Sequence, residues 1–161
     1  MVQVKRGAKM FYTTLLVILI FSALTLSVLE YFSEEQYVKI DDISVVDDTV
    51  ILSNNCTALV AQTSPERALS IKLGLENRME LRPNTHDIFS EVLDKFNITL
   101  ERVTIDNLNE GIYYANLHLK KYNDVLKIDL KPSDGIALAL RTDSPIYIKD
   151  WILKESGQNT C

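Results

Sequence analysis

An uncharged apolar run, FYTTLLVILIFSALTLSVL from Phe11 to Leu29, constrains this chain more than any other feature. About 18 or more such residues are enough to cross the hydrocarbon core of a bilayer as a helix. Lys5, Arg6 and Lys9 precede the run, and Glu30, Glu34 and Glu35 follow it. The positive-inside rule then predicts a cytoplasmic N-terminus and an outward-facing remainder. A secretory signal peptide shares the basic-then-apolar order, but its core is usually about 7–15 residues and ends in a small-x-small cleavage site. Here the run is longer, and Ala23 is followed by Leu-Thr-Leu-Ser-Val-Leu. The pattern favours an uncleaved signal anchor, and both readings put the rest of the chain outside the cytoplasm. The expected organisation is a basic cytoplasmic segment over 1–10, a single-pass transmembrane anchor over 11–29, a polar stem over 30–36 and one folded domain over 37–161.

Charge and cysteines narrow the function of that domain. From Ser33 onward, 14 lysines and arginines stand against 21 acids, a net charge of −7. Proteins that bind nucleic acid usually carry a basic face, because phosphate neutralisation supplies most of their non-specific affinity. An acidic balance weighs against a DNA or RNA partner, although a local basic pocket is compatible with it. Cys56 and Cys161 lack metal-type spacing and can form one disulfide outside the cell.

Periodicity predicts an α+β domain. YVKIDDISVVDDTVIL alternates in short β-branched bursts broken by acidic pairs, which reads as two or three strands, with TALVAQ as another. TSPERALSIKLGLEN changes period: Thr63 or Ser64 can cap, Pro65 suits the first helical position, and a helix follows. RPNTHDIFSEVLDKFN repeats that grammar, with Asn84 or Thr85 as cap. In it, Ile88, Phe89, Val92, Leu93 and Phe96 fall on one stripe that is expected to be buried. ITLERVTIDNL and GIYYANLHLKKYNDVLKIDL read as strands, the latter turning back at KYND. KPSDGIALALRT opens a third helix with Ser133 as its cap, and PIYIKDWIL ends in a strand and a turn. The expectation is antiparallel β hairpins packed with about three helices, preceded by one transmembrane helix.

Three segments in order, PERALSIKL, RPNTHDIF and KPSDGIALAL with PIYI beyond it, resemble the bifunctional nuclease domain family over about Ser64 to Ile148. The resemblance implies hydrolysis of phosphodiester bonds in DNA and RNA. The family's second motif usually reads Arg-Pro-Ser-Asp-Ala, whereas this chain has Lys131-Pro132-Ser133-Asp134-Gly135. Lysine keeps the charge but loses the bidentate phosphate fork of arginine.

His86-Asp87, at the mouth of the second helix, is the candidate reactive pair. Free N–H groups there make an anion site, and Arg82 just ahead can clamp a phosphate. His86 can serve as general base or acid. Asp87 and Asp134 can hold a divalent cation such as Mg²⁺ or Mn²⁺, and Lys131 and Ser133 can add phosphate contacts. A plainer reading has both acids stabilising their helix N-termini by about 0.3–1 kcal/mol each. His118 is expected to be structural or exposed; Tyr113 and Tyr114 could stack on bases but are read as packing residues, and Trp151 is read as a core or interface anchor. Two functions stay open: a membrane-anchored, metal-assisted nuclease, and a non-catalytic extracytoplasmic interaction or ligand-binding module on the same fold. A homo-oligomer is open under either.

Overall fold

Two-residue turns set the strand order. Asp47, Asn55, Glu110 and Tyr122 each take a positive φ, between 48° and 55°, at the first position of such a turn. That left-handed backbone matches the twist of the flanking strands and closes tight hairpins. The turns join β2 (Asp42–Val46) to β3 (Thr49–Asn54) and β3 to β4 (Thr57–Gln62). They also join β5 (Thr99–Asn109) to β6 (Ile112–Lys121) and β6 to β7 (Asp124–Leu130). The computed structural model describes residues 12, 15–19, 22 and 37–161.

Tyr37–Cys161 forms a compact unit built on two sheets. The larger has the order β1-β8-β5-β6-β7, with β1 at Tyr37–Lys39 and β8 at Ile146–Lys149. The smaller is β2-β3-β4-β9, with β9 at Gln158–Asn159. Four helices accompany them: α1 (Pro65–Leu75), α2 (Thr85–Lys95), α3 (Pro132–Thr142) and α4 (Asp150–Ser156). The α+β class is as expected, with two corrections. The segment expected to end in a turn is the short helix α4, and β8 runs parallel to β5 instead of antiparallel. A helix-length crossover, α3, carries the chain from β7 to β8, and such a connection returns a strand in its starting direction.

The anchor expected at Phe11–Leu29 falls largely outside the described residues. Tyr12, Leu15 to Leu19 and Ser22 are helical. No helix among the described residues is long and apolar enough to cross a membrane.

Ile71, Val103, Ile105, Leu138, Ile148 and Ile152 are the most deeply buried large side chains. α3 lies against β5 at short range: a methyl on Gly135 would sit 2.9 Å from Val103 Cγ1. The glycine therefore suits a helix–sheet spacing too close for a Cβ unless Val103 shifts. Cys56 and Cys161 are joined, tying the start of β4 to the C-terminus beside β9.

The buried stripe expected on α2 is not found. Leu93 is 3% exposed, but Ile88, Phe89, Val92 and Phe96 are 37–60% exposed. α2 is rotated so that Asp87 and Leu93 face inward, because Asp87 is held by an ion pair to α3. Leu93→Ala should therefore cost about 2–5 kcal/mol in urea denaturation, whereas Phe89→Ala should fall well short of the about 3 kcal/mol of a fully buried phenylalanine. Loss of the long-range disulfide in Cys161→Ser should cost about 2–4 kcal/mol in the same assay.

Candidate active site at the mouths of α2 and α3

α2 begins with a reciprocal cap. Asn84 Oδ1 accepts the N–H groups of His86 at 2.9 Å and Asp87 at 3.1 Å. Asp87 Oδ2 in turn accepts the Asn84 N–H at 2.8 Å. The other oxygen, Oδ1, takes Arg141 Nε at 2.6 Å. Both side chains are at least nine-tenths buried. Arg141 Nη1 also donates to the carbonyls of Ser70 at 3.0 Å and Ala137 at 2.7 Å, so three helices meet on one guanidinium. Gly74 makes room for it, since a Cβ there would lie 3.1 Å from Nη1.

His86 sits on the outer side of this knot. Its Nδ1 is 2.9 Å from Ser70 Oγ, which also accepts from Asn84 Nδ2 at 3.3 Å. A serine hydroxyl can donate to Nδ1 or accept from it, so it supports either protonation state of the ring. The Nε2 atom is 3.5 Å from Asp134 Oδ1, and Arg67 Nε is 3.4 Å from that same oxygen. Burial pushes the imidazole pKa down, the Asp134 carboxylate opposes this, and Arg141 adds to the lowering. The net direction is downward, leaving His86 neutral near pH 7 and able to accept a proton.

The residues singled out in the sequence thus divide into groups. His86 and Asp134 meet across the mouths of α2 and α3. Lys131 and Ser133 line a neighbouring cleft together with Arg67. Ser133 is not the cap of α3: Lys131 holds that position, without a side-chain cap bond. Arg82 lies exposed on the loop before α2. Asp87 faces the protein interior, where burial would raise its carboxyl pKa. Hydrogen bonds from Arg141 and the Asn84 N–H outweigh that and hold it below the ordinary aspartate range.

The donor set does not suit a resident cation shared by Asp87 and Asp134. Both Asp87 oxygens are engaged, and Arg67 flanks Asp134. Among the described residues no group of three or more His, Cys, Asp or Glu side chains converges as metal ligands. Away from this site, His118 Nε2 lies 3.0 Å from Thr104 Oγ1 within the large sheet, and Trp151 is 39% exposed on α4. Sequence reading missed Arg67, Ser70 and Arg141, which lie in apolar helical runs and acquire roles only when the helices meet.

The family model for the bifunctional nuclease domain matches residues 50–160, and the chain belongs to that family. It is 36% identical over 76 residues to an uncharacterized protein of Mycobacterium tuberculosis (strain ATCC 25618 / H37Rv), covering 47% of this chain and 44% of that protein. It is 27% identical over 93 residues to bifunctional nuclease 1 of Oryza sativa subsp. japonica, covering 56% and 28%. Over 79 residues it is 28% identical to bifunctional nuclease 2 of Arabidopsis thaliana, covering 47% and 24%. The chain thus spans less than half the length of these curated relatives.

The ion pair has a pH signature. A carboxyl whose folded pKa is depressed stabilises fully above its unfolded pKa, about 3.9, and this contribution is lost as pH falls through the depressed value. Asp87→Asn should cost about 3–5 kcal/mol at pH 7, because it leaves a buried guanidinium uncompensated. In acid-titrated denaturation the gap to the parent should narrow below about pH 4. A gap that stays constant down to pH 2 would contradict this assignment.

Proposed function

We propose that this chain is a nuclease that hydrolyses phosphodiester bonds of DNA or RNA at the shared mouth of α2 and α3. The observation that carries the reading is His86. It is backed by Ser70, its pKa is lowered by burial, and its Nε2 is turned toward Asp134 and Arg67. With the proton on Nδ1 donated to Ser70 Oγ, a water donating to both Nε2 and Asp134 Oδ1 gives one proton to Nε2 as its oxygen attacks phosphorus. The P–O bond to the leaving oxygen, on the far side of phosphorus, breaks; that oxygen takes its proton from a solvent water, and the imidazolium returns its own proton to solvent. Asp134 stabilises the imidazolium between these steps, and Arg67, Lys131 and Ser133 offset the charge on the phosphoryl oxygens. Arg82, on its exposed loop, would reach a more distant phosphate. A divalent cation, Mg²⁺ or Mn²⁺, would have to enter with the substrate's own phosphate oxygens, and no step above depends on it.

We place the domain outside the cytoplasm on a single-pass anchor at Phe11–Leu29. The basic-then-apolar order supports this, and so does the Cys56–Cys161 disulfide, since such bonds persist in oxidising surroundings. A second reading, a non-catalytic interaction module or homo-oligomer, is favoured by the apolar outward stripe Ile88, Phe89, Val92 and Phe96.

Purified full-length chain, incubated with single-stranded DNA and RNA in Mg²⁺, Mn²⁺ or chelator, separates the two. The nuclease reading expects cleavage that His86→Ala lowers by about 10²–10⁴-fold, the usual contribution of a general base or acid. Because the base titrates below the usual histidine value of about 6.5, activity should persist on the acid side of that value. No cleavage by the parent under any of these conditions would leave the interaction module.

A further inference from the structure

Between the two sheets, beside the start of α3, lies a cleft of about 320 Å³. That is within the range of about 300–1,000 Å³ usual for small-molecule sites. Its floor is apolar and closed to water, with Leu52, Leu59, Ile105 and Ile136 each 1–3% exposed, while Ile112 and Tyr113 of the large sheet stand at the accessible rim. Polar groups enter only at Gln62, Thr63, Arg67, Lys131 and Ser133.

The lining contains two cations and no carboxylate, in a chain whose net charge is −5. A larger cavity of about 660 Å³ has a mixed lining, with Arg78 and Arg141 beside Asp87, Glu91 and Asp94. The smaller cleft therefore suits a ligand with an apolar body and an anionic head. Arg67 belongs both to the cleft and to the His86–Asp134 cluster, where its Nε contacts Asp134. An anionic head at the cation-bearing end would thus lie toward the nitrogen that can accept a proton.

We propose that this cleft is a nucleotide subsite, receiving one unstacked base against Ile112 and Tyr113 at its rim while its phosphate rests on Arg67, Lys131 and Ser133. The choice of a nucleotide over another amphipathic anion rests on the phosphodiester reading above. The ring of Tyr113 and the side chain of Ile112 suit the face of a base, and the side-chain amide of Gln62 and hydroxyl of Thr63 can pair with its polar edge. Only an unstacked base can enter, which favours single-stranded nucleic acid, since extruding a base from a duplex costs unstacking and unpairing energy.

The test is calorimetric titration of the full chain with a 5′-mononucleotide, with inorganic phosphate and with hexanoate. Two variants accompany it, Ile112→Trp at the exposed mouth and Lys131→Glu at the surface, each checked for an unchanged melting curve. The mononucleotide should bind at least about tenfold tighter than phosphate, and each variant should weaken it by about tenfold or more. Equal affinity for phosphate and nucleotide would overturn the subsite. So would a nucleotide affinity untouched by Ile112→Trp, or binding of hexanoate without the nucleotide. Tight, variant-sensitive nucleotide binding by a chain that cuts nothing would retire the hydrolysis reading and leave the subsite standing. Cleavage with an Ile112→Trp-insensitive nucleotide affinity would do the reverse.

Discussion

The buried pair between Asp87 and Arg141 is the contact on which the arrangement of the three long helices depends. Removing two charges from water is costly, and attraction between them repays that cost only with good geometry and satisfied hydrogen bonds. Here Asp87 receives both Arg141 Nε and the Asn84 N–H, and Arg141 Nη1 is shared by two carbonyls on α1 and α3, while Arg141 Nη2 is buried without a protein partner among the described residues. A pair so restrained sets the rotation of α2 about its own axis. One consequence is that His86 points across to Asp134; another is that the apolar stripe of α2 faces outward. The same side chain that looked like a metal ligand in the sequence is thereby a structural anion, and its neighbour His86 is the one left facing the cleft side.

Around that knot one cleft stands out by its charge. The His86–Asp134–Arg67 row lies beside a cleft lined by Arg67 and Lys131 without acids, whereas the cavity that Asp87 lines carries both acids and the arginines Arg78 and Arg141. A strongly acidic domain can accept a phosphate only where such local segregation exists, because attraction between close charges in a partly dry cleft outweighs a diffuse, screened net charge. The overall charge therefore argues less against a nucleic-acid substrate than composition suggests. The outward stripe of α2 argues separately for a macromolecular contact on the helical side.

The sheets serve the site by placing α3. β7 and β8 are joined through α3, and Gly135 lets that helix approach Val103 on the central strand. The N-terminal turn of α3, with Lys131, Ser133 and Asp134, is thus held against a stiff surface instead of a loop. Replacing the family's usual arginine with Lys131 leaves a point charge at the cleft, suited to electrostatic contact more than to a bidentate grip.

Local physics made much of the fold legible from sequence. Alternating β-branched residues, acidic turn pairs and proline-led helix starts marked the strands and the three long helices, because each depends on neighbours a few residues away. The apolar run at Phe11–Leu29 and the separated cysteines were equally visible, and the resemblance to the nuclease family rested on motifs that survive without coordinates. What periodicity could not decide was rotation. Ile88, Phe89, Val92 and Phe96 have the spacing of a core face, yet a single ion pair 54 residues apart in the chain turns them outward. Arg67, Ser70 and Arg141 carried no local signal either, since their roles arise from distances between helices that the sequence does not state. The motifs His86-Asp87 and Ser133-Asp134 were determined by sequence. Which carboxylate faces the histidine nitrogen and which is buried was decided only by tertiary packing, because burial and charge pairing are properties of the assembled helices.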